Sequence, residues 1–380
     1  MISDQAVRQQ FESGFGRSPH GIAFAPGRVN LIGEHIDYHG YSVMPAALEL
    51  GVSVAWASRK DRKIVARTLS TLRGREHSTA EFDLDAIGPA VEGGTWSNYV
   101  RAAAAMAIAE AESAQEVDHG VDHGVDQCGM DLLVASDLPE ASGLSSSSAL
   151  IVASGLALMD AAGSLGDLTD LRRLELAADF ASAERYVGTA GGGMDQAASL
   201  GGQAGAVLKI DFDPLRWTRI PFPSGIALLI AHTGVRAEKS GEAMLRYNEI
   251  RHAKRDPDVE AHIQSEAERV EKFEIALRSG HMKECGRLMN ASHESLKGRL
   301  RVSHPALDAL VEAARSAGCL GARMTGAGFG GSIVALAHEE QAQTALAALQ
   351  TAQQTLPDAH PAFVAKPGHG ASVTRVRQAD

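Results

Sequence analysis

Four consecutive serines, Ser145 to Ser148, follow Gly143 and Leu144 in a chain of 380 residues. Hydroxyls behind a glycine suit an anion. Ahead of them Met130-Asp-Leu-Leu-Val-Ala-Ser is apolar and strand-like; behind them Ile151-Val-Ala-Ser-Gly-Leu-Ala-Leu-Met is long enough for a buried helix. Pro139 breaks the two. The Gly/Ser loop therefore opens a helix, where free N–H groups and the positive end of the dipole gather negative charge. Gly143 lets the backbone come close to a ligand, and the serines add donors. A plain strand–helix turn needs one capping serine, not four. Three further groups carry chemistry. Arg28, Glu34, His35 and Asp37 crowd into a short stretch after Pro26-Gly27. Glu184 shares a helix face with Leu174, Ala177 and Ala181, and a carboxylate there needs a partner because unpaired burial is costly. Asp195 follows Gly191-Gly-Gly-Met, a run that permits a tight loop holding the acid against a ligand.

Composition narrows the partners. The net charge of −11 argues against nucleic acid or an anionic membrane, so an anionic ligand needs a local positive site. Cys128, Cys285 and Cys319 lie far apart without CxxC spacing, which fits reduced thiols. The first ten residues lack the apolar core of a signal peptide, and no apolar run approaches the ~20 residues that span a membrane. A soluble cytoplasmic protein is expected, long enough for two domains.

The elements that must position these groups can be read in order. Residues 4–16 predict an amphipathic helix with Val7, Phe11 and Phe15 on one side. Residues 21–25 predict a strand that ends in a loop-rich turn from Pro26 to Pro45. Strands follow over 48–56 and 63–68, and an Ala-rich helix over 97–112. The tandem Val-Asp-His-Gly repeat from Val117 predicts a solvated surface loop; its glycines argue against His119 and His123 as rigid metal ligands. Residues 169–186 predict a helix capped by Thr169. Strands are expected at 205–212 and 226–231, then charge-rich helices with a mostly solvated face over 236–281. Near the end Gly326-x-Gly328-x-x-Gly331 matches the dinucleotide fingerprint in letters only, because a strand and not a helix follows it. No GxxxxGK[ST] loop, HRD or DFG set, or HExxH motif occurs.

Three Gly-rich stretches thus stand out. Pro26-Gly-Arg-Val-Asn-Leu-Ile-Gly-Glu-His-Ile-Asp-Tyr resembles the galactokinase signature. Gly143-Leu-Ser-Ser-Ser-Ser-Ala resembles the ATP-phosphate loop of the GHMP small-molecule kinases, and Gly321-Ala-Arg-Met-Thr-Gly-Ala-Gly-Phe-Gly-Gly resembles their third motif. The likeness covers nearly the whole chain. His35-Ile-Asp-Tyr-His-Gly-Tyr-Ser-Val, the run from Glu184 to Gln196 and Lys366-Pro-Gly-His-Gly-Ala are more similar to the N-acetylgalactosamine kinase branch.

The resemblance implies an α+β, two-lobed fold: an N-terminal mixed-sheet lobe over 1–212 and a C-terminal ferredoxin-like lobe over 213–380. It implies a monomer that phosphorylates the anomeric hydroxyl of galactose with ATP and Mg²⁺, with N-acetylgalactosamine as the alternative sugar. A non-catalytic galactose and ATP sensor of the same branch would lose serines that are intact here. By the same resemblance Gly143, Leu144, Ser145, Ser146, Ser147 and Ser148 cradle the triphosphate, and Ser147 and Glu184 hold the metal. Asp195 receives or orients the anomeric proton, beside Arg28. Glu34, His35, Asp37 and Tyr247 read the sugar, the acids because carboxylates only accept and sugar hydroxyls donate.

Overall fold

The computed structural model describes residues 2–69, 78–91, 95–117, 128–139, 142–188, 191–235, 241–252 and 256–376. All of the Val-Asp-His-Gly repeat beyond Val117, His119 and His123 included, lies outside them. In chain order the described strands are β1 (Gly21–Asn30), β2 (Pro45–Ser58), β3 (Lys63–Leu69), β4 (Thr79–Asp83), β5 (Met130–Ser136), β6 (Ala206–Phe212), β7 (Leu215–Pro221), β8 (Ile226–His232), β9 (Gly321–Thr325), β10 (Ser332–His338), β11 (Phe363–Ala365) and β12 (Ser372–Arg375). The helices are α1 (Asp4–Phe15), α2 (Thr95–Val117), α3 (Ser146–Ala162), α4 (Asp170–Ala183), α5 (Met194–Gly201), α6 (Gly241–His252), α7 (Pro257–Arg278), α8 (Met282–Ser295), α9 (Pro305–Ser316) and α10 (Glu339–Gln353).

The fold is α+β. One sheet runs β12-β1-β2-β5-β3-β4 and is mixed, because β3 pairs parallel with β5 while the other pairs are antiparallel. A second, antiparallel sheet runs β11-β8-β10-β9. Helix α3 is buried along nearly its whole length, as its unbroken apolar sequence requires, and packs on α2, β1 and β2. Val7 and Phe11 of α1 fill a small separate cluster on the other face, with Ile22 and Leu133.

Three expectations need correcting. Pro26-Gly27 does not end the first strand. β1 continues to Asn30, and the register slips between Pro26 and Arg28. Proline lacks the N–H a regular ladder would use, and a bulge absorbs that loss. The expected lobe boundary at 212/213 falls inside the β6–β7 hairpin. The end of the chain also returns to the first lobe, where β12 covers the edge of β1 and Pro367 bridges to Leu48. Finally, Asp195 is not in a loop: it occupies the first turn of α5, after Gly193 at φ +96°.

Helix α8 lies unusually close to the second sheet. A Cβ on Gly286 would stand 2.0 Å from the Leu320 carbonyl oxygen and 2.2 Å from its carbon, both backbone atoms. That approach lets Asn290 accept from Ala322 N–H at 3.0 Å, tying α8 to the strand of the third motif. Gly286→Ala should therefore destabilise the protein by about 2–3 kcal/mol, the upper part of the range for overpacking. Denaturant unfolding would read this, and a loss under ~0.5 kcal/mol would show that helix and strand separate freely.

Candidate active site

Strand β1 delivers Arg28 to the middle of the molecule. Its N–H donates to the Leu144 carbonyl at 3.1 Å, and Nη1 donates to the Gly143 carbonyl at 2.6 Å. Nη2 pairs with Asp195 Oδ1 at 2.7 Å. One side chain thus joins the serine loop to the acid on α5. The bulge beside Gly27 makes this possible, since a Cβ there would lie 2.5 Å from the Leu144 carbonyl oxygen.

The serine loop opens α3 as its sequence requires. Ser145 is the N-cap with φ +65°, and the first helical bond runs from Ala149 N–H to its carbonyl. The N–H groups of the first turn therefore have no intrahelical acceptor and carry the positive end of a 17-residue helix. Ser148 is buried; its Oγ lies 3.4 Å from Glu184 Oε1 and 3.5 Å from Asp195 Oδ2. Ser146 and Ser147 are half-buried on the same turn, while the Leu144 side chain belongs to the core. Glu184 closes α4 and begins a 3₁₀ turn, buried, with Gln196 Nε2 donating to its Oε2 at 3.0 Å. Hydroxyl and carboxylate oxygens at a helix N-terminus are the donor set a hard divalent cation prefers.

The first motif supplies the other side. Asp37 opens a 3₁₀ turn and accepts from Gly192 N–H at 3.1 Å. A Cβ on Gly192 would stand 2.5 Å from Asp37 Oδ2, so glycine is required for the two loops to meet. Burial, then the charge of Asp195, pushes the Asp37 carboxyl up to about 6. Glu34 is buried; burial pushes its carboxyl up to about 7 against the pull of Arg323, whose Nη2 lies 3.0 Å from Oε2. His35 has φ +63°, and both its ring nitrogens meet protein groups. Nε2 lies 3.1 Å from the Ala327 carbonyl, and Nδ1 2.7 Å from the Tyr38 hydroxyl. A carbonyl only accepts, so we assign the proton to Nε2, and Tyr38 donates to Nδ1. Burial, then His262, lowers the imidazole to about 3, so it is neutral. His35 therefore braces the motif from within. Tyr247 arrives from α6, its ring 5.8 Å from that of His35 and 5.7 Å from that of Tyr38. Burial, then the charges of Asp37 and Asp195, raises its hydroxyl above the usual range.

The third motif closes the arrangement from the second lobe. A Cβ on Gly326 would meet the Gly143 carbonyl at 2.9 Å, and one on Gly331 the Ser142 carbonyl at 3.0 Å. Both residues have positive φ, +85° and +83°, so glycine serves conformation and approach together. Four partners escaped the sequence reading: Gln196, Arg323, His262 and Glu266. Arg323 is fully buried in a strand, a placement composition cannot announce. His262 and Glu266 are one helical turn apart and lie on the buried stripe of α7 with Val259, Ile263 and Val270. That spacing was visible, but the many charges around it suggested a solvated face.

A helix N-terminus with free N–H groups, a paired carboxylate beside it and buried acids facing it are features that suit phosphoryl transfer to a small molecule. The comparisons agree. The galactokinase galactose-binding signature matches residues 9–58, the GHMP kinase N-terminal domain 98–203 and the GHMP kinase C-terminal region 273–354. The chain is 36% identical to a galactokinase of Chloroflexus aggregans over 92% of each chain. It is 35% identical to one of Exiguobacterium sibiricum, over 93% of this chain and 94% of that one. Lactococcus lactis galactokinase, solved in complex with galactose, superposes with a TM-score of 0.81 at 29% identity, covering 97% of this chain and 99% of that one. Methanococcus jannaschii mevalonate kinase shares the fold at a TM-score of 0.68 and 20% identity, over 92% of this chain and 99% of that one. The chain belongs to the galactokinase family of the GHMP kinases.

The raised carboxyls give a signed expectation. Asp37 and Glu34, at about 6 and about 7, bind protons more tightly folded than unfolded. Their contribution to stability is complete below the ordinary carboxylate range near ~4 and is lost as pH rises through 6 and 7. Asp37→Asn removes one share of this. The unfolding free energy of parent minus variant should therefore grow as pH falls from 8 to 5, measured by denaturant titration. A constant difference would contradict the assignment.

Proposed function

We propose that the protein transfers the γ-phosphoryl group of ATP to the anomeric hydroxyl of galactose, giving galactose 1-phosphate and ADP. The observation that carries this is the ion pair of Arg28 with Asp195, placed between the α3 N-terminus and the acids of the first motif. The first turn of α3, from Ser145 to Ser148, holds the triphosphate with its N–H groups and hydroxyls. Asp37, Glu34 and Tyr247 hold the sugar so that its anomeric hydroxyl faces Asp195. Asp195 orients that hydroxyl and accepts its proton as the new O–P bond forms and the bond to the β-phosphate oxygen breaks. Arg28, already on Asp195, lies beside the transferring group and offsets charge on its oxygens. Glu184 with Ser147 and Ser148 fits Mg²⁺, which would neutralise phosphate charge when bound.

No described helix is long and apolar enough to cross a membrane. Galactose is the sugar named for the relatives at this level of identity, and it is the substrate we assign. Two carboxylates set at a sugar should reject an epimer that leaves one misplaced. Glucose should be at least ~10²-fold poorer than galactose in kcat/KM, on the scale of hydrogen-bonding sites. An ATP-consumption assay over galactose, N-acetylgalactosamine and glucose reads this. Equal use of glucose would end the galacto-specific reading, and a large preference for the acetamido sugar would reassign the substrate.

Asp195→Asn keeps the volume and removes the charge. Its kcat should fall by at least ~10², the scale for a positioned base, with sugar binding retained. Near-parental turnover would overturn the role. Glu184→Gln should raise the Mg²⁺ concentration needed for turnover more than it changes galactose KM. Overlapping Mg²⁺ titrations would make Glu184 a purely structural acid.

A further inference from the structure

Glu34 is the acid in the middle of the first motif, and the second lobe holds it by every polar group it has. Its carboxylate meets Arg323 Nη2 at 3.0 Å. Its carbonyl lies 3.0 Å from His262 Nε2. Its N–H donates to Glu266 Oε1 at 3.3 Å, and the neighbouring Gly33 N–H donates to the same oxygen at 2.9 Å. Glu266 and His262 are both wholly buried, on the inner face of α7.

The supports of these two residues are complete. Glu266 Oε1 also accepts from Ser292 Oγ at 2.6 Å, and Oε2 from Arg269 Nε at 2.6 Å. Burial pushes this carboxyl up, but His262, Arg323, Arg269 and Ser292 together hold it down to about 2. Burial lowers the His262 imidazole below its ordinary range. Since a carbonyl faces His262 Nε2, we place its proton there; Nδ1, 2.9 Å from Ser295 Oγ, accepts from that hydroxyl.

Such a network is a poor device for stability alone, because well-packed apolar groups often do as well as a buried ion pair. It is a good device for position. The brace grips Gly33 and Glu34 immediately before His35, a non-glycine residue at φ +63°. Left-handed backbone at such a residue persists only where its surroundings over-determine it. Gly33 itself, at φ +96°, fits between Val43 of the first lobe and Val270 of α7. The turn that follows carries Asp37 to Gly192 and thus toward Asp195.

We propose that Glu266 and His262 are positioning residues for the sugar: from the second lobe they fix the backbone of Gly33 and Glu34, and so the direction of the acids that receive sugar hydroxyls. This rests on the reading of Glu34 as a sugar-binding residue. It goes beyond that reading by making sugar recognition depend on a helix that need not touch the sugar.

The test is a double-mutant cycle on the full-length protein, read as separate KM values for galactose and ATP. Glu266→Gln keeps an acceptor but gives up the carboxylate that three donors and Arg269 share. It should raise galactose KM by ~10-fold or more while ATP KM stays within ~2-fold, as displacement confined to one substrate predicts. In a Glu34→Ala background the same substitution should add a smaller rise than it does in the parent, because one of the acids it orients is gone while the backbone N–H groups and Asp37 remain. Ser292→Ala, which deletes one hydroxyl from the same oxygen, should give a smaller rise of about 2–5-fold in galactose KM alone. It serves the test if Glu266→Gln does not fold. Equal rises in both KM values, an unchanged galactose KM, or a full additive effect in the Glu34→Ala background would each overturn the positioning role. A Glu34→Ala protein with parental galactose KM and kcat would instead remove the sugar reading of Glu34 itself.

Discussion

Everything in this site depends on one buried guanidinium reaching two places at once. Arg28 bonds the Gly143 carbonyl at 2.6 Å and Asp195 at 2.7 Å. The planar fork of a guanidinium suits two partners set at a fixed angle. The consequence is geometric. The start of α3 and the start of α5 cannot drift apart without breaking one of those bonds, so a helix N-terminus and an acid are held as one unit.

The second lobe completes this unit through backbone contact. Gly326 and Gly331 bring the third motif against Ser142 and Gly143, where a Cβ would collide with carbonyl oxygens. Arg323 then reaches through to Glu34 and to the Asn30 carbonyl at 3.2 Å. The turn after Asn30 is thus gripped by both lobes. Loops at a lobe junction would ordinarily be the adaptable part of a protein. Here close glycine contacts and buried ion pairs remove much of that freedom, as phosphoryl transfer, which works by positioning, demands.

How much of this was legible in the sequence follows from the range of each signal. Local signals read well. The apolar run behind the serines gave the buried helix α3, Thr169 caps α4, and the strand after Gly331 excluded a dinucleotide fold. Pro26-Gly27 misled because a break and a bulge share the same residues, and only the pairing partner tells them apart. Asp195 read as a loop residue because three glycines precede it, although an eight-residue helix begins immediately after them. The return of β12 to β1 is a contact between chain ends that no local pattern encodes. His262 and Glu266 were hidden by composition: among so many charges on α7, the two that face inward look like the rest until the helix is placed.

The central claim is that Asp195 and the α3 N-terminus converge on one hydroxyl. A structure of the protein with galactose and a non-hydrolysable ATP analogue tests it most directly. The account predicts the anomeric oxygen within hydrogen-bond reach of Asp195, about 2.6–3.2 Å, and about 3–3.5 Å from the γ-phosphorus, with the phosphates on the first turn of α3. A sugar bound with its anomeric hydroxyl turned away from Asp195, or phosphates seated away from Ser145 to Ser148, would contradict it.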